Sequence, residues 1–214
     1  MPRRSLLSLA LMACTGSSLA GPSLASPCEN NVKPMQPGWT WTYRDTDKNG
    51  PVLYEMHRTL DKAGYTDTYT TPGKPPAPQS YRCEGGAHIN ITAPSVAGAQ
   101  ITRLTVQGVS YPALPSWRPG FAWTYIMNLE GKKSGLGAGA VMTLKYRILS
   151  REKVSVPAGT FDAWKVALDG DVDAHVSIVP IRRKFTETQW IAQDVGLIKI
   201  QREASVSELS ALKK

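Results

Sequence analysis

The sequence predicts an all-β protein: an antiparallel curved sheet, a sandwich or an open barrel, built from two related β units. Three observations support this. The 214 residues include 18 Gly and 16 Pro, which suits a turn-rich β protein and is too many for a helix bundle. Short segments of alternating hydrophobicity lie between the turns that these residues mark. An aromatic segment also recurs, PGWTWTY at 37–43 and PGFAWTY at 119–125, with five of seven residues identical.

Residues 1–27 are predicted to be an export signal and a flexible tether. A basic start with Arg3 and Arg4 precedes an apolar run at 5–13, which is too short to span a membrane and is typical of an export signal. Leu-Met-Ala-Cys, ending at Cys14, resembles a bacterial lipobox. A lipid on Cys14 would anchor the protein to a membrane surface. We therefore expect a location in the cell envelope, lipid-anchored, with ordinary cleavage and a periplasmic or secreted protein as the alternative.

Two further cysteines, Cys28 and Cys83, remain in every mature form of the chain. Thiols of an exported protein lie in an oxidising compartment, where they commonly pair. We predict a Cys28–Cys83 disulfide that joins the N-terminal segment to the first half of the domain. Two unpaired thiols stay possible at this stage, because the sequence gives no distance between them.

The charge of the chain argues against a nucleic-acid partner. The formal net charge is +8, and loss of Arg3 and Arg4 with the signal lowers it by two, to +6. Basic residues are scattered, and only residues 182–184 form a run, whereas nucleic-acid-binding proteins cluster their charge on one face. Two interpretations remain: attraction to anionic lipids or cell-wall polymers, and a solvated surface without a partner.

The recurring segment divides the body into a first β unit at 28–112 and a second at 113–214, expected to form one compact body. In each copy three large rings alternate along a strand, so they share one face. Rings with this spacing are interpreted as core residues rather than as a ligand platform. The rings are Trp39, Trp41, Tyr43, Phe121, Trp123 and Tyr125.

Further strands follow in order between turn signals. Besides the two aromatic segments, the strand candidates are 52–60, 64–70, 100–107, 141–149, 153–156, 161–168, 174–179 and 183–190. The segments 81–91 and 190–200 each run from an aromatic residue through a polar turn into a strand that ends Ile-x-Ile. The turn signals are 47–51, 71–78, 131–139, 157–159 and 169–170. The Gly-rich stretch 131–139 lacks the ending of a phosphate-binding loop and is predicted to be a mobile hairpin loop. Residues 204–214 suggest a helix or a frayed tail.

Two motifs in the second unit carry a family resemblance. Residues 154–166 read VSVPAGTFDAWKV and residues 190–199 read WIAQDVGLIK. They resemble a set of uncharacterised bacterial envelope proteins and lipoproteins that share V-x-V-P-A-G-x-F-x-A-x-K-V and W-x-A-x-x-V-G-[LI]-[IV]-K. The resemblance implies an exported β-rich domain, and it brings no reaction and no catalytic residues. In physical terms the first motif is a hairpin, because Pro157 cannot donate to a ladder and Gly159 allows a positive φ.

Residues that could carry chemistry are sparse. His57, His88 and His175 are isolated in the sequence and lack the paired spacing typical of zinc or copper sites. A metal site would require these three histidines to converge in the fold, with Met56 or Met142 as soft copper ligands. The acidic stretch 169–173 could hold calcium in a turn but lacks the rest of an EF-hand loop. The sequence contains no Gly-x-Ser-x-Gly motif, and no cofactor is expected.

The leading functional hypothesis is a non-enzymatic cell-envelope protein or lipoprotein. It would contact a membrane surface through the lipid anchor and bind an amphipathic ligand, a cell-wall polymer or an envelope partner. The alternative hypothesis is a copper- or zinc-dependent envelope enzyme that uses the dispersed histidines.

Overall fold

The computed structural model describes residues 28–30 and 32–214, which form twelve strands in a single antiparallel sheet. Cys14 and the predicted export signal lie outside the described residues. The strands are β1 Thr40–Asp47, β2 Gly50–Leu60, β3 Gly64–Thr70, β4 Ala77–Glu84, β5 Ala87–Asn90, β6 Ala99–Gly108, β7 Ala122–Lys133, β8 Leu136–Val156, β9 Gly159–Val176, β10 Val179–Ala192, β11 Gly196–Arg202 and β12 Val206–Lys213. Their spatial order is β5-β4-β3-β2-β1-β12-β11-β10-β9-β8-β7-β6.

The sheet curves until its two edges almost meet. The chain that leaves β6 returns to β5, where the His88 amide donates to the Tyr111 carbonyl at 2.8 Å and the Ser110 amide donates to the His88 carbonyl at 2.8 Å. The Tyr125 hydroxyl also donates across this seam, to the Asn90 carbonyl. The protein is therefore an all-β, nearly closed barrel, which confirms the predicted fold class.

The N-terminal segment packs into the interior of this barrel. Val32 is fully buried among core residues contributed by β8, β9 and β10. Cys28 lies beside Tyr65 and Tyr81 and forms a disulfide with Cys83, as predicted. Because the disulfide holds this segment in place, residues that precede the first strand close the interior of the barrel.

The aromatic segments open strands β1 and β7, each after a glycine with positive φ, Gly38 and Gly120. The rings of Trp41, Tyr43 and Tyr125 are at most 3% exposed and lie in the core. The predicted unit boundary at 112–113 falls between β6 and β7, so each unit supplies six strands to the one sheet. Descent of the two units from one duplicated sequence stays a prediction.

Three local predictions are wrong, and each has a physical reason. Residues 131–139 are not a mobile loop, because β7 and β8 run through them and turn only at Ser134-Gly135. The stretch 169–173 is not a turn but the middle of β9, with its acidic side chains alternating with inward-facing residues. Residues 206–213 form β12 rather than a helix or tail, because β12 fills the gap between β1 and β11 and buries Leu209.

We expect the disulfide to contribute about 4 kcal/mol to the free energy of unfolding, because it closes a loop between cysteines 55 residues apart. A double variant, Cys28→Ala with Cys83→Ala, should unfold at a correspondingly lower urea concentration. Dithiothreitol should destabilise the wild-type protein by a similar amount and leave the variant unchanged. Equal urea midpoints for wild type and variant would show that the N-terminal segment is held in place without the bond.

Candidate functional site

A buried charge cluster lies where the N-terminal segment enters the barrel. Arg58 on β2 donates two hydrogen bonds to the carboxylate of Asp67 on β3, at 2.6 and 2.8 Å, and a third to the Pro34 carbonyl at 2.6 Å. Lys33 Nζ lies 3.3 Å from Asp67 Oδ2. The cluster holds two cations and one anion, and the excess positive charge lies against ring faces: Lys33 Nζ is 3.9 Å from the Tyr81 ring centroid.

The pKa values of this cluster follow from burial and mutual attraction. Burial is the main reason that the pKa of Lys33 falls to about 8; Asp67 opposes the shift and Arg58 adds to it. Burial alone would raise the pKa of Asp67, but Lys33 and Arg58 together hold that pKa below its ordinary value. Only about 30 Å³ remains open beside these side chains, room for about one water. We interpret the cluster as the fastening of the N-terminal segment, because its groups are satisfied by one another.

This cluster was not predicted from the sequence, although one pattern in the sequence indicates it. In β3 an acid, Asp67, occupies the middle of an alternating face between Tyr65 and Tyr69. In β2 a base, Arg58, follows Met56 on the core-facing side. A charge within an aromatic alternation indicates a buried partner of opposite sign.

The three histidines lie in three separate surroundings. His57 on β2 is exposed beside Glu55, and His175 on β9 packs its ring over Gly139 of the neighbouring strand β8. His88 on β5 is fully buried, with Nδ1 2.8 Å from the Tyr65 hydroxyl. Across residues 28–30 and 32–214 no cluster of three or more His, Cys, Asp or Glu side chains is placed to hold a metal ion.

The acidic stretch considered for calcium is paired with cations instead. Asp171 and Asp173 project from β9 on the side facing away from the barrel interior, and the neighbouring strand β10 places Lys184 and Arg182 beside them. Lys184 Nζ lies 3.8 Å from Asp171 Oδ2, and Arg182 Nε lies 3.7 Å from Asp173 Oδ2. Two of the three carboxylates that suggested a calcium turn therefore form exposed cross-strand ion pairs.

The inward face of strands β7 to β10 changes character along its length. Near the seam it carries large side chains, and the paired residues Trp123, Tyr146 and Leu168 form one row across the sheet. Towards the far ends of the strands the rows are made of smaller residues. Leu129 pairs with Ala140, which pairs with Ala174, and the next row is Gly131, Ala138 and Val176.

The small residues leave a groove of about 340 Å³ on this face, within the size range of ligand pockets. Its floor is the Ala and Gly positions of β7, β8 and β9. Ile181 on β10 closes one side, and Pro94 and Val96, which precede β6, close the other. The groove is lined almost wholly by apolar groups, which favour an apolar ligand over water. Two residues of the groove, His175 and Met142, were predicted from the sequence only as candidate metal ligands, and 131–139 was predicted to be a loop. An apolar ligand site in this region was not predicted from the sequence.

Two cations lie on the groove side of the sheet. Lys133 lines the groove at the end of β7, and Arg183 shares a row with Met142 and Val172, which also line it. On the opposite side Arg182 and its neighbours are paired with carboxylates, but within the described part of the chain Lys133 and Arg183 have no carboxylate within ion-pair distance. Lys132 and Glu130 also line the groove, and Glu130 is paired with Arg103 at 3.7 Å. The groove therefore combines an apolar floor with a margin at which the unpaired charges are positive.

Comparisons with known proteins support the predicted family resemblance and the fold. A family model described as DUF3108-like matches residues 126–205, the range that contains both motifs. Among solved structures, a candidate lipoprotein from Parabacteroides distasonis is similar, with a TM-score of 0.55, 16% identity and coverage of 86% of this chain and 99% of that chain. No curated protein matches the sequence.

A second similar structure is a candidate exported protein from Bacteroides fragilis with a YmcC-like fold. Its TM-score is 0.52 at 18% identity, covering 85% of this chain and 98% of that chain. At these identities the likeness shows the fold alone. In the part of the chain that the structure describes, no helix has the length and apolar character needed to cross a bilayer.

Acid should destabilise the protein through His88. Burial, with the nearby charges of Lys33 and Arg58, lowers the pKa of His88 to about 3, whereas the unfolded chain has the ordinary value near 6.5. Between these pH values the unfolded state binds one more proton than the folded state. The contribution of neutral His88 to the free energy of unfolding is therefore intact above pH 6.5 and is lost as the pH falls towards 3.

The loss amounts to about 2 kcal/mol between pH 6.5 and 4.5. Urea unfolding of wild type and His88→Gln at the two pH values measures it. The wild-type protein should lose about 2 kcal/mol more than the variant over this interval. Parallel losses in the two proteins would contradict a neutral, buried His88.

Proposed function

We propose that the protein is an exported, envelope-associated protein that binds an amphipathic ligand, with the ligand's apolar chain in the groove of β7–β10. The groove itself carries this proposal. It is formed by regular strands, and its volume comes from side-chain choice rather than from an irregular loop. Burying an apolar chain there removes its surface from water at about 25 cal/mol per Å².

The charge at the margin supports an anionic headgroup. Arg183 and Lys133 lie on the groove side without a carboxylate within reach in the described residues, while Arg182 on the opposite side is paired. A carboxylate or phosphate attached to the buried chain would meet these cations. A cell-wall polymer fits less well, because sugars need many polar partners and the groove offers few.

Export is supported by the signal-like residues 1–27 and by the descriptions of the two similar structures. The metal-enzyme alternative gains no support, because His57, His88 and His175 lie in separate surroundings within the described chain. We therefore propose an amphipathic ligand. Binding of a cell-wall polymer or of an envelope partner is an alternative outcome of the test.

Replacing Ala140 by Leu should weaken binding of a long-chain fatty acid roughly tenfold or more, because the added carbons occupy the floor of the groove. Fluorescence of cis-parinaric acid titrated with the protein measures this. Val141→Leu is the matched control, because Val141 is the next residue on β8 and points to the opposite side. The control should bind as the wild type does.

A fatty acid should also bind more tightly than the alcohol of the same chain length, because only the acid offers a charge to the cations at the margin. Equal effects of Ala140→Leu and Val141→Leu would contradict binding in the groove. Binding of peptidoglycan fragments with no binding of fatty acid would favour the polymer instead.

A further inference from the structure

Three turns meet at the far end of the long strands. They are the approach to β6 at 96–98, the β7–β8 turn at 134–135 and the β9–β10 turn at 177–178. Backbone hydrogen bonds join them: the Ser134 amide donates to the Gly98 carbonyl at 3.1 Å, and the Ser177 amide donates to the Gly137 carbonyl at 2.7 Å. They form one continuous end of the molecule, which we call the distal end.

The distal end exposes large apolar side chains. Ile178 is 93% exposed, Val179 59%, Leu136 54% and Val96 44%. Tight hairpin turns ordinarily carry Gly, Asn or Asp, and an isoleucine at the tip of a β-turn adds nothing to the turn itself. Since the three turns are in contact, these side chains form a patch rather than scattered residues.

The same end is positively charged. Residues 131–139 and 174–184 contain five cations, residues 93–100 are uncharged, and the acids in the same rows of the sheet are Glu130, Asp171 and Asp173. Arg182 and Lys184 have carboxylate partners on β9. Lys132, Lys133 and Arg183 have none among the described residues, so their charge is available to a partner. The five cations are Lys132, Lys133, Arg182, Arg183 and Lys184.

We propose that the distal end docks on an anionic lipid surface, with Ile178 and Leu136 inserted among the acyl chains and the cations at the headgroups. Apolar side chains surrounded by Lys and Arg are the composition of interfacial membrane-binding surfaces. A nucleic acid would offer no apolar contact to the exposed Ile178. An acidic protein surface would need only the cations and would leave the apolar side chains unexplained.

This surface adjoins the groove. Lys133, Ala138 and Val176 line the groove and are at the ends of the strands that lead into the exposed turns. An amphipathic molecule could therefore pass between the bilayer and the groove without its chain crossing water. The docking surface shares Lys133 with the groove, but its inserted side chains, Ile178 and Leu136, do not line the groove.

A polarity-sensitive fluorophore attached to the thiol of an Ile178→Cys variant tests the proposal directly. The full-length protein also carries Cys14→Ser, so that no acyl chain is attached at that position. Vesicles of phosphatidylcholine alone and of phosphatidylcholine with phosphatidylglycerol are the probes. The matched control carries the fluorophore on a Leu60→Cys variant, since Leu60 is an exposed leucine at the end of β2 that is opposite the distal end.

We expect the emission of the label at position 178 to shift to the blue with the anionic vesicles, while the label at position 60 stays in water. Lys132→Gln should raise the half-saturating lipid concentration about fivefold, because each cation near an anionic surface contributes about a factor of this size. Lys62→Gln, which lies beyond β2, should leave the half-saturating concentration unchanged.

A label at position 178 that stays in water, or labels at positions 178 and 60 that respond alike, would overturn the proposal. An insertion that is equal in neutral and anionic vesicles would overturn its electrostatic part. Each of these results is distinguishable from failure of the proposed function, because fatty-acid binding in the groove is measured without vesicles.

Discussion

The size of the side chains along the inward face of β7–β10 is the constraint on which the functional part of the structure depends. Protein interiors pack to the density of organic crystals, so a face of large rings is filled and a face of Ala and Gly is filled only if another element covers it. Near the seam, Trp123 and Tyr146 stack with their ring centroids 4.9 Å apart. At the far ends, Ala140 and Ala174 meet no covering element, and the groove results.

The other side of the barrel interior is filled rather than open. There the N-terminal segment fills the space, and it is fastened both covalently through Cys28 and electrostatically through Lys33. Burying three charged groups is costly unless they pair, and the bidentate contact of Arg58 with Asp67 supplies that pairing. One side of the protein is thereby rigid and filled, while the other has room for a ligand.

The fold was largely predictable from the sequence, because the signals for strands are local. The Pro-Gly turns and alternating rings of 37–43 and 119–125 place β1 and β7, and Gly159 adopts the positive φ expected of the hairpin motif. The disulfide could be anticipated from compartment and cysteine count. Two of the three errors have one origin: in 131–139 and 169–173, Gly and Asp are turn residues by local preference, but long ladders with neighbouring strands override that preference.

The candidate site was less predictable, because its defining feature is an absence of side-chain volume. An alanine such as Ala140 has no recognisable pattern until its row partners Leu129 and Ala174 are known. The buried cluster was hidden for a related reason, since Arg58 and Lys33 resemble surface residues until the register brings Asp67 between them. The register of the strands determines which residues become neighbours across the sheet, and this register cannot be read from a single sequence.

Whether the groove of β7–β10 holds a ligand is decided by the position of a bound chain inside the protein. A fatty acid with a nitroxide near the end of its chain broadens the NMR signals of nearby amides. We expect broadening at Ala140 and Ala174, with Tyr43 and Met56 in the filled core unaffected. Broadening at Tyr43 and Met56 instead, or none at any of the four, would contradict binding in the groove.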